Sequence, residues 1–124
     1  MHSTGRLLAA VIVVASASAI GAEKKIISFP AATDTPARIT LLPRAGEIGR
    51  DNAFFDNYRP QVRFSADRRE VTCAVRIPKP REKVDPGETA EVALNCLDPF
   101  RTFEEDKAFV VFEGGRKVAE GRLN

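Results

Sequence analysis

The sequence predicts an all-β domain whose strands roll into a closed barrel or a sandwich around one core. Apolar and polar residues alternate with a period of two in segment after segment, and helical periodicity is hard to find. Proline and glycine fall between those segments, where they end strands and supply turns. The 124 residues suffice for one such domain and not for two.

Residues 1–22 stand apart from this pattern. MHSTGR carries Arg6 and no acid, and LLAAVIVVASASAI then runs apolar and small from Leu7 to Ile20. A charged start and a short apolar stretch are the layout of a signal peptide, and the stretch is brief for a span of the hydrocarbon core. Ala17-Ser18-Ala19 fits the A-x-A peptidase signature; Ala19-Ile20-Gly21, or a cut after Ala22, fits nearly as well. An uncleaved membrane anchor is the other reading of the same residues. Cleavage predicts a mature chain that starts near Glu23, has no membrane span and is exported, periplasmic or secreted. His2 and Met1, the single histidine and methionine, would leave with the leader. Without Arg6 the formal charge falls from +2 to +1, which predicts no general attraction to nucleic acid or anionic membrane.

Residues 23–37, EKKIISFPAATDTPA, read as a linker or an extra strand, with one extended piece at Ile26–Phe29 cut short by Pro30. Residues 38–124 form the domain. RITLL ends at Pro43, and AGEIGRDN follows as loop. YRPQVRF puts Tyr58, Val62 and Phe64 on one parity against Arg59, Gln61 and Arg63. EVTCAVRI aligns Val71, Cys73, Val75 and Ile77, and AEVALNCL aligns Val92, Leu94 and Cys96. KAFVVF and RKVAEGRL bring the count to six strands. Between the last two lie Gly114 and Gly115. A two-residue hairpin loop needs positive φ, which glycine adopts without a Cβ clash. A phosphate cradle would need those glycines to lead into a helix instead, and Gly121 with its β-like flanks disfavours one.

FFDNYRPQVRF (Phe54–Phe64), EVTCAVRIP (Glu70–Pro78), VDPGETAEVALNCLDP (Val84–Pro99) and FVVFEGGRKVAEG (Phe109–Gly121), preceded by GEIGR (Gly46–Arg50), occur in that order. Together they resemble the third, carboxyl-terminal domain of bacterial elongation factor Tu. The likeness runs from about Arg38 to Leu123. It implies a six-stranded antiparallel β-barrel. The family's nucleotide domain and second barrel have no counterpart in these residues, so the resemblance implies neither GTP binding nor elongation activity. In the full factors this barrel docks on the nucleotide domain, contacts the exchange factor and touches the T-stem of aminoacyl-tRNA. The family's Y-R-P-Q matches Tyr58, Arg59, Pro60 and Gln61, and its G-G-R matches Gly114, Gly115 and Arg116. Departures are Cys73 in place of a glycine, Ala119-Glu120 within the final glycine motif, and two extra residues in SADRRE.

Cys73 and Cys96 share the apolar parity of their strands. If those strands form a hairpin around PKPREKVDPGET, the cysteines fall opposite one another within disulfide range, and an oxidising compartment favours the bond. Two separate buried thiols are the alternative. Two cysteines and no mature histidine are too few ligands for zinc. The same inventory offers no Ser-His-Asp or Cys-His arrangement, and Glu104-Glu105-Asp106 reads as a solvated turn rather than an acid–base pair. No spacing suggests a calcium loop, and no cofactor is expected. Arg59, Arg63, Arg68 and Arg69, then Arg76, Lys79, Arg81 and Lys83, form two loose basic groups diluted by interleaved acids.

The sequence thus predicts an exported, non-enzymatic binding or adaptor module with an unidentified protein partner. Phe54, Phe55, Tyr58, Arg59, Gln61 and Arg116 are the candidate contact surface. RNA binding that retains the family's contact, and a decoy for partners of the full factor, are the competing expectations.

Overall fold

The structure is a computed structural model that describes residues 23–124; the predicted leader lies outside them. Its strands are β1 (Ile26–Phe29), β2 (Thr35–Leu41), β3 (Phe54–Phe55), β4 (Gln61–Phe64), β5 (Val71–Arg76), β6 (Lys83–Val84), β7 (Thr89–Cys96), β8 (Phe100–Phe103), β9 (Ala108–Glu113) and β10 (Arg116–Leu123). Six of them close into an antiparallel barrel in the order β10-β2-β7-β5-β4-β9. These are the six alternating segments of the sequence. No helix occurs among the described residues. Two ribbons complete the domain, β1 with β8 and β3 with β6.

The barrel interior is filled by the apolar parity of each strand. Ile39, Leu41, Val62, Phe64, Val75, Leu94, Phe109 and Val111 are all buried, as strict alternation requires when one sheet face closes on itself. The first barrel strand begins at Thr35, three residues before Arg38. Pro36 is tolerated there because it stands near the strand's start, where a missing N–H removes only an end rung of the ladder. Its carbonyl still accepts the Asn124 amide at 3.1 Å.

Gly114 and Gly115 form the predicted two-residue loop, with φ of 53° and 82°, and Arg116 pairs back to Glu113. Strands flank them on both sides, so the cradle reading falls. A bulge between Lys117 and Ala119 then turns both Val118 and Ala119 inward. Gly121 sits where β10 presses on β2: a Cβ there would lie 2.1 Å from the Arg38 carbonyl oxygen and 2.7 Å from the Phe109 ring. Only glycine fits this seam.

Cys73 and Cys96 are bonded, and they pair directly in the β5–β7 register with Cα atoms 3.9 Å apart. The separate-thiol reading is overturned. The Cys73 amide donates outward to Pro60, the Cys96 carbonyl accepts from Ala32, and the Leu97 amide reaches past the pair to Thr72. The cysteines therefore occupy a non-hydrogen-bonded site, where opposed side chains come closest. Closing a loop across 23 residues of separation contributes about 3 kcal/mol by chain-entropy reasoning.

The barrel has two distinct ends. At the aromatic end the β1–β8 ribbon caps the interior. Phe29 stacks on Phe100 at 5.0 Å, Phe100 on Phe64 at 3.9 Å, and Phe64 tilts against Phe109 at 5.7 Å. The polar end is covered by the β3–β6 ribbon and by the loop that follows β2.

Candidate interaction surface

The residues predicted for a contact surface come from β3, the turn after it, the first residue of β4 and the start of β10. A two-residue strand sends consecutive side chains to opposite sides. Phe54 accordingly points into the core at 1% exposure, while Phe55 beside it is 61% exposed. Phe54 therefore serves as the anchor of Phe55 rather than as surface. Its ring stacks on Tyr58 at 4.7 Å, and the β3–β6 pairing sets Phe55 opposite Lys83. Asp56 pins the next turn: its carboxylate accepts the Ile77 amide at 2.8 Å and faces Arg76 at 3.2 Å. The Ile77 hydrogen bond first, then Arg76, hold that carboxyl below its ordinary value.

Tyr58 is half-buried and belongs to a polar cluster. Its hydroxyl donates to Glu113 Oε1 at 2.5 Å, and Arg50 Nη1 donates to the same oxygen at 2.5 Å. The Arg50 guanidinium also lies 5.2 Å from the Tyr58 ring centre and reaches the carbonyls of Asn52 and Ala53. Burial disfavours the Glu113 carboxylate, but the hydrogen bonds from Tyr58 and Arg50 and the Arg50 charge outweigh it, and the carboxyl titrates below its usual range. Burial, then the hydrogen bond to Glu113, push the Tyr58 phenol well above its usual value. A charged acceptor shared by two donors, one of them cationic, is the strong kind of hydrogen bond.

Arg116 is spent inside the molecule. Its Nε donates to the Gly49 carbonyl at 2.9 Å, and Nη2 donates to Gly46 and Ile48 at 2.8 and 3.0 Å. The loop from Pro43 to Arg50 turns its carbonyls inward as it folds back. At Gly49, φ is +83° and a Cβ would lie 2.0 Å from the Pro43 oxygen. The guanidinium satisfies those carbonyls, so Arg116 acts as a clamp on the loop and leaves the candidate surface. Arg59 is exposed and enters no ion pair among the described residues; Gln61 is exposed, and its side-chain amide donates to the Thr72 hydroxyl at 3.5 Å.

Phe55, Arg59 and Gln61 thus remain solvent-facing on one short segment, supported from beneath by Phe54, Tyr58, Arg50 and Glu113. An exposed aromatic and an exposed arginine four positions apart are residue types that recognition surfaces favour. Arg50 and Glu113 were not singled out by sequence reasoning, because residues 63 positions apart carry no local signal of their pairing. The only hint was Arg50 at the end of GEIGR.

The basic groups are neutralised in part. Arg63 pairs with Glu70, Arg76 with Asp56, Arg81 with Glu88 and Lys83 with Asp85. Arg68 and Arg69 line a groove of about 690 Å³ between the β4–β5 turn and the segment before β8, where Asp67 is held by Arg101. Among the described residues no group of three or more His, Cys, Asp or Glu side chains could hold a metal ion. No known protein-family model matches the chain.

Proposed function

We propose that this chain is an exported, non-enzymatic binding module of elongation factor Tu third-domain type, and that it engages a protein partner through Phe55, Arg59 and Gln61. The observation that carries the reading is Phe55, an aromatic side chain 61% exposed on a rigidly anchored two-residue strand. A monomeric surface exposes single apolar residues freely; one fixed in place by a buried neighbour, four positions from an exposed arginine without an ion pair among the described residues, is suited to a hot spot. Export is supported by the leader-like residues 1–22 and by the Cys73–Cys96 bond, which belongs to oxidising compartments. The ordered sequence blocks and the six-stranded barrel support the family origin.

RNA is the weaker partner. Phosphate binding relies on uncompensated cations, and Arg63, Arg76 and Arg81 of the basic groups already face carboxylates.

A photo-crosslinking residue placed at position 55 tests the reading in cells. The expected result is one discrete adduct in the cell-envelope or secreted fraction, reduced when Arg59→Ala is added. An adduct found only with cytosolic translation components would overturn the exported reading; no adduct, or one indifferent to Arg59, would overturn the surface. Arg59 is exposed and enters no ion pair among the described residues, so Arg59→Ala should change stability by no more than about 0.5 kcal/mol, and a crosslink lost with it would not reflect unfolding.

A further inference from the structure

Away from that surface, the outer wall across β9, β10 and β2 breaks two rules that the rest of the barrel obeys. The first concerns charge. Along the paired strands, Arg38 and Arg122 are the only like-charged residues directly opposite one another, an arrangement that destabilises a sheet. Arg38 has an answer on its other side, Glu91 at 2.7 Å. Arg122 has none among the described residues. Glu120, the nearest acid on the same strand, is taken by Lys117 at 3.0 Å.

The second rule concerns outward polarity. β2, β4, β5, β7 and β10 each turn a charged residue to the outside: Arg38, Arg63, Arg76, Glu91 and Arg122. β9 turns Ala108, Val110 and Phe112 outward, all half-exposed. A strand apolar on both faces is normal when both faces are covered; here Arg63 lies over the Phe112 ring at 4.8 Å, and Ala108 and Val110 stay partly open. The two departures meet. Ala108 pairs with Arg122, and Val110 with Glu120, beside a trough of about 450 Å³ that runs over Arg38, Thr40, Ala108, Val110, Glu120 and Arg122. The bare backbone of Gly121 lies in it.

We propose that this trough binds a small amphipathic carboxylate, with its apolar tail on Ala108 and Val110 and its head between Arg38 and Arg122. The charge count selects the head group. Once Glu91 and Lys117 have taken their partners, one positive charge is left over, which a monoanion balances. A phosphate dianion would bring surplus negative charge beside Glu91 and Glu120. The planar guanidinium of Arg122 suits a carboxylate in two-point contact. None of Phe55, Arg59 or Gln61 takes part, so the site stands independently of the proposed partner surface.

Sodium octanoate is the probe, below its micelle concentration, followed by amide chemical shifts of the intact folded protein. Acetate and 1-octanol serve as head-only and tail-only controls. Octanoate is expected to move the amides of Arg38, Val110, Gly121 and Arg122 in a saturable way, while neither control does so at equal concentration. Arg122→Gln should weaken binding about fivefold, the size of one exposed ion pair, and Arg122→Lys should restore part of it. Unchanged cross-peaks elsewhere in the variant spectra verify the fold. Absence of shifts, equal response to octanol or acetate, or undiminished binding in Arg122→Gln would each overturn the proposal.

Discussion

At one end of the barrel Phe29, Phe100, Phe64 and Phe109 follow each other ring on ring, whereas at the other Arg50 and Tyr58 converge on a single oxygen of Glu113. The first closure rests on burial and dispersion, which carry no charge and ignore pH. The second rests on a partly exposed carboxylate, so protons can reach it and solution conditions can alter it. The exposed segment with Phe55 and Arg59 grows out of the second end. A binding surface placed there can be tuned by its support without disturbing the core, which the aromatic end holds.

The largest test of this contrast is Phe100→Ala. Phe100 is fully buried between two rings, and its truncation should cost about 3–5 kcal/mol in denaturant unfolding. Amide protection should fall along β1 and β8 and stay intact in the loop from Pro43 to Arg50. Equal loss at both ends would show that they are one cooperative unit and break the comparison.

Replacing both cysteines by alanine should cost about 3 kcal/mol. Because the bond acts chiefly on the unfolded chain, the native amide spectrum at both ends should be nearly unchanged. Large shifts confined to the aromatic end, next to Cys96, would show that the bond also shapes the native state.

Glu113→Gln is expected to cost about 1–2 kcal/mol, and its signature lies in pH. The carboxyl is depressed in the folded state, so its contribution is complete above the unfolded carboxylate's pKa and drains away as pH falls through the folded value. Tyr58 works in the opposite sense: its phenol is raised on folding, so its contribution is complete below the unfolded phenol's pKa and fades as pH rises beyond it. Wild type should lose stability at both extremes, Glu113→Gln should flatten the acid limb, and Tyr58→Phe the alkaline one. Phe100→Ala should lower the whole curve without changing its shape. A Glu113→Gln profile parallel to wild type would remove the charged cluster from the account of the polar end.

The barrel was legible in the sequence because β2, β4, β5 and β7 repeat their alternation over at least two full periods, and the Gly114-Gly115 pair marks the hairpin of the last two strands. Cys73 and Cys96 could be paired for the same reason, since a common parity and a symmetric hairpin bring them face to face. The ribbons were harder to read. β3 and β6 are two residues each, too short to show any period, so the opposite fates of Phe54 and Phe55 could not be told apart. β8, FRTF, sits inside a polar stretch and acquires its meaning only from pairing with β1. Arg116 looked available because its partners are backbone carbonyls, which every residue carries and no sequence pattern marks. Glu113 looked like an ordinary hairpin residue until Arg50 and Tyr58 arrived beside it from more than 50 positions away.

The seam at which β10 meets β2 joins the first wall strand in chain order to the last. During vectorial synthesis, β2 and β9 must both wait with open edges until β10 emerges. Gly121, which lets that late arrival slide in flush against Arg38, therefore acts as the latch of the whole enclosure. Anything that delays it leaves two sticky borders in the open, so the time spent unfinished, more than the depth of the finished well, would govern how much of this protein survives its own making.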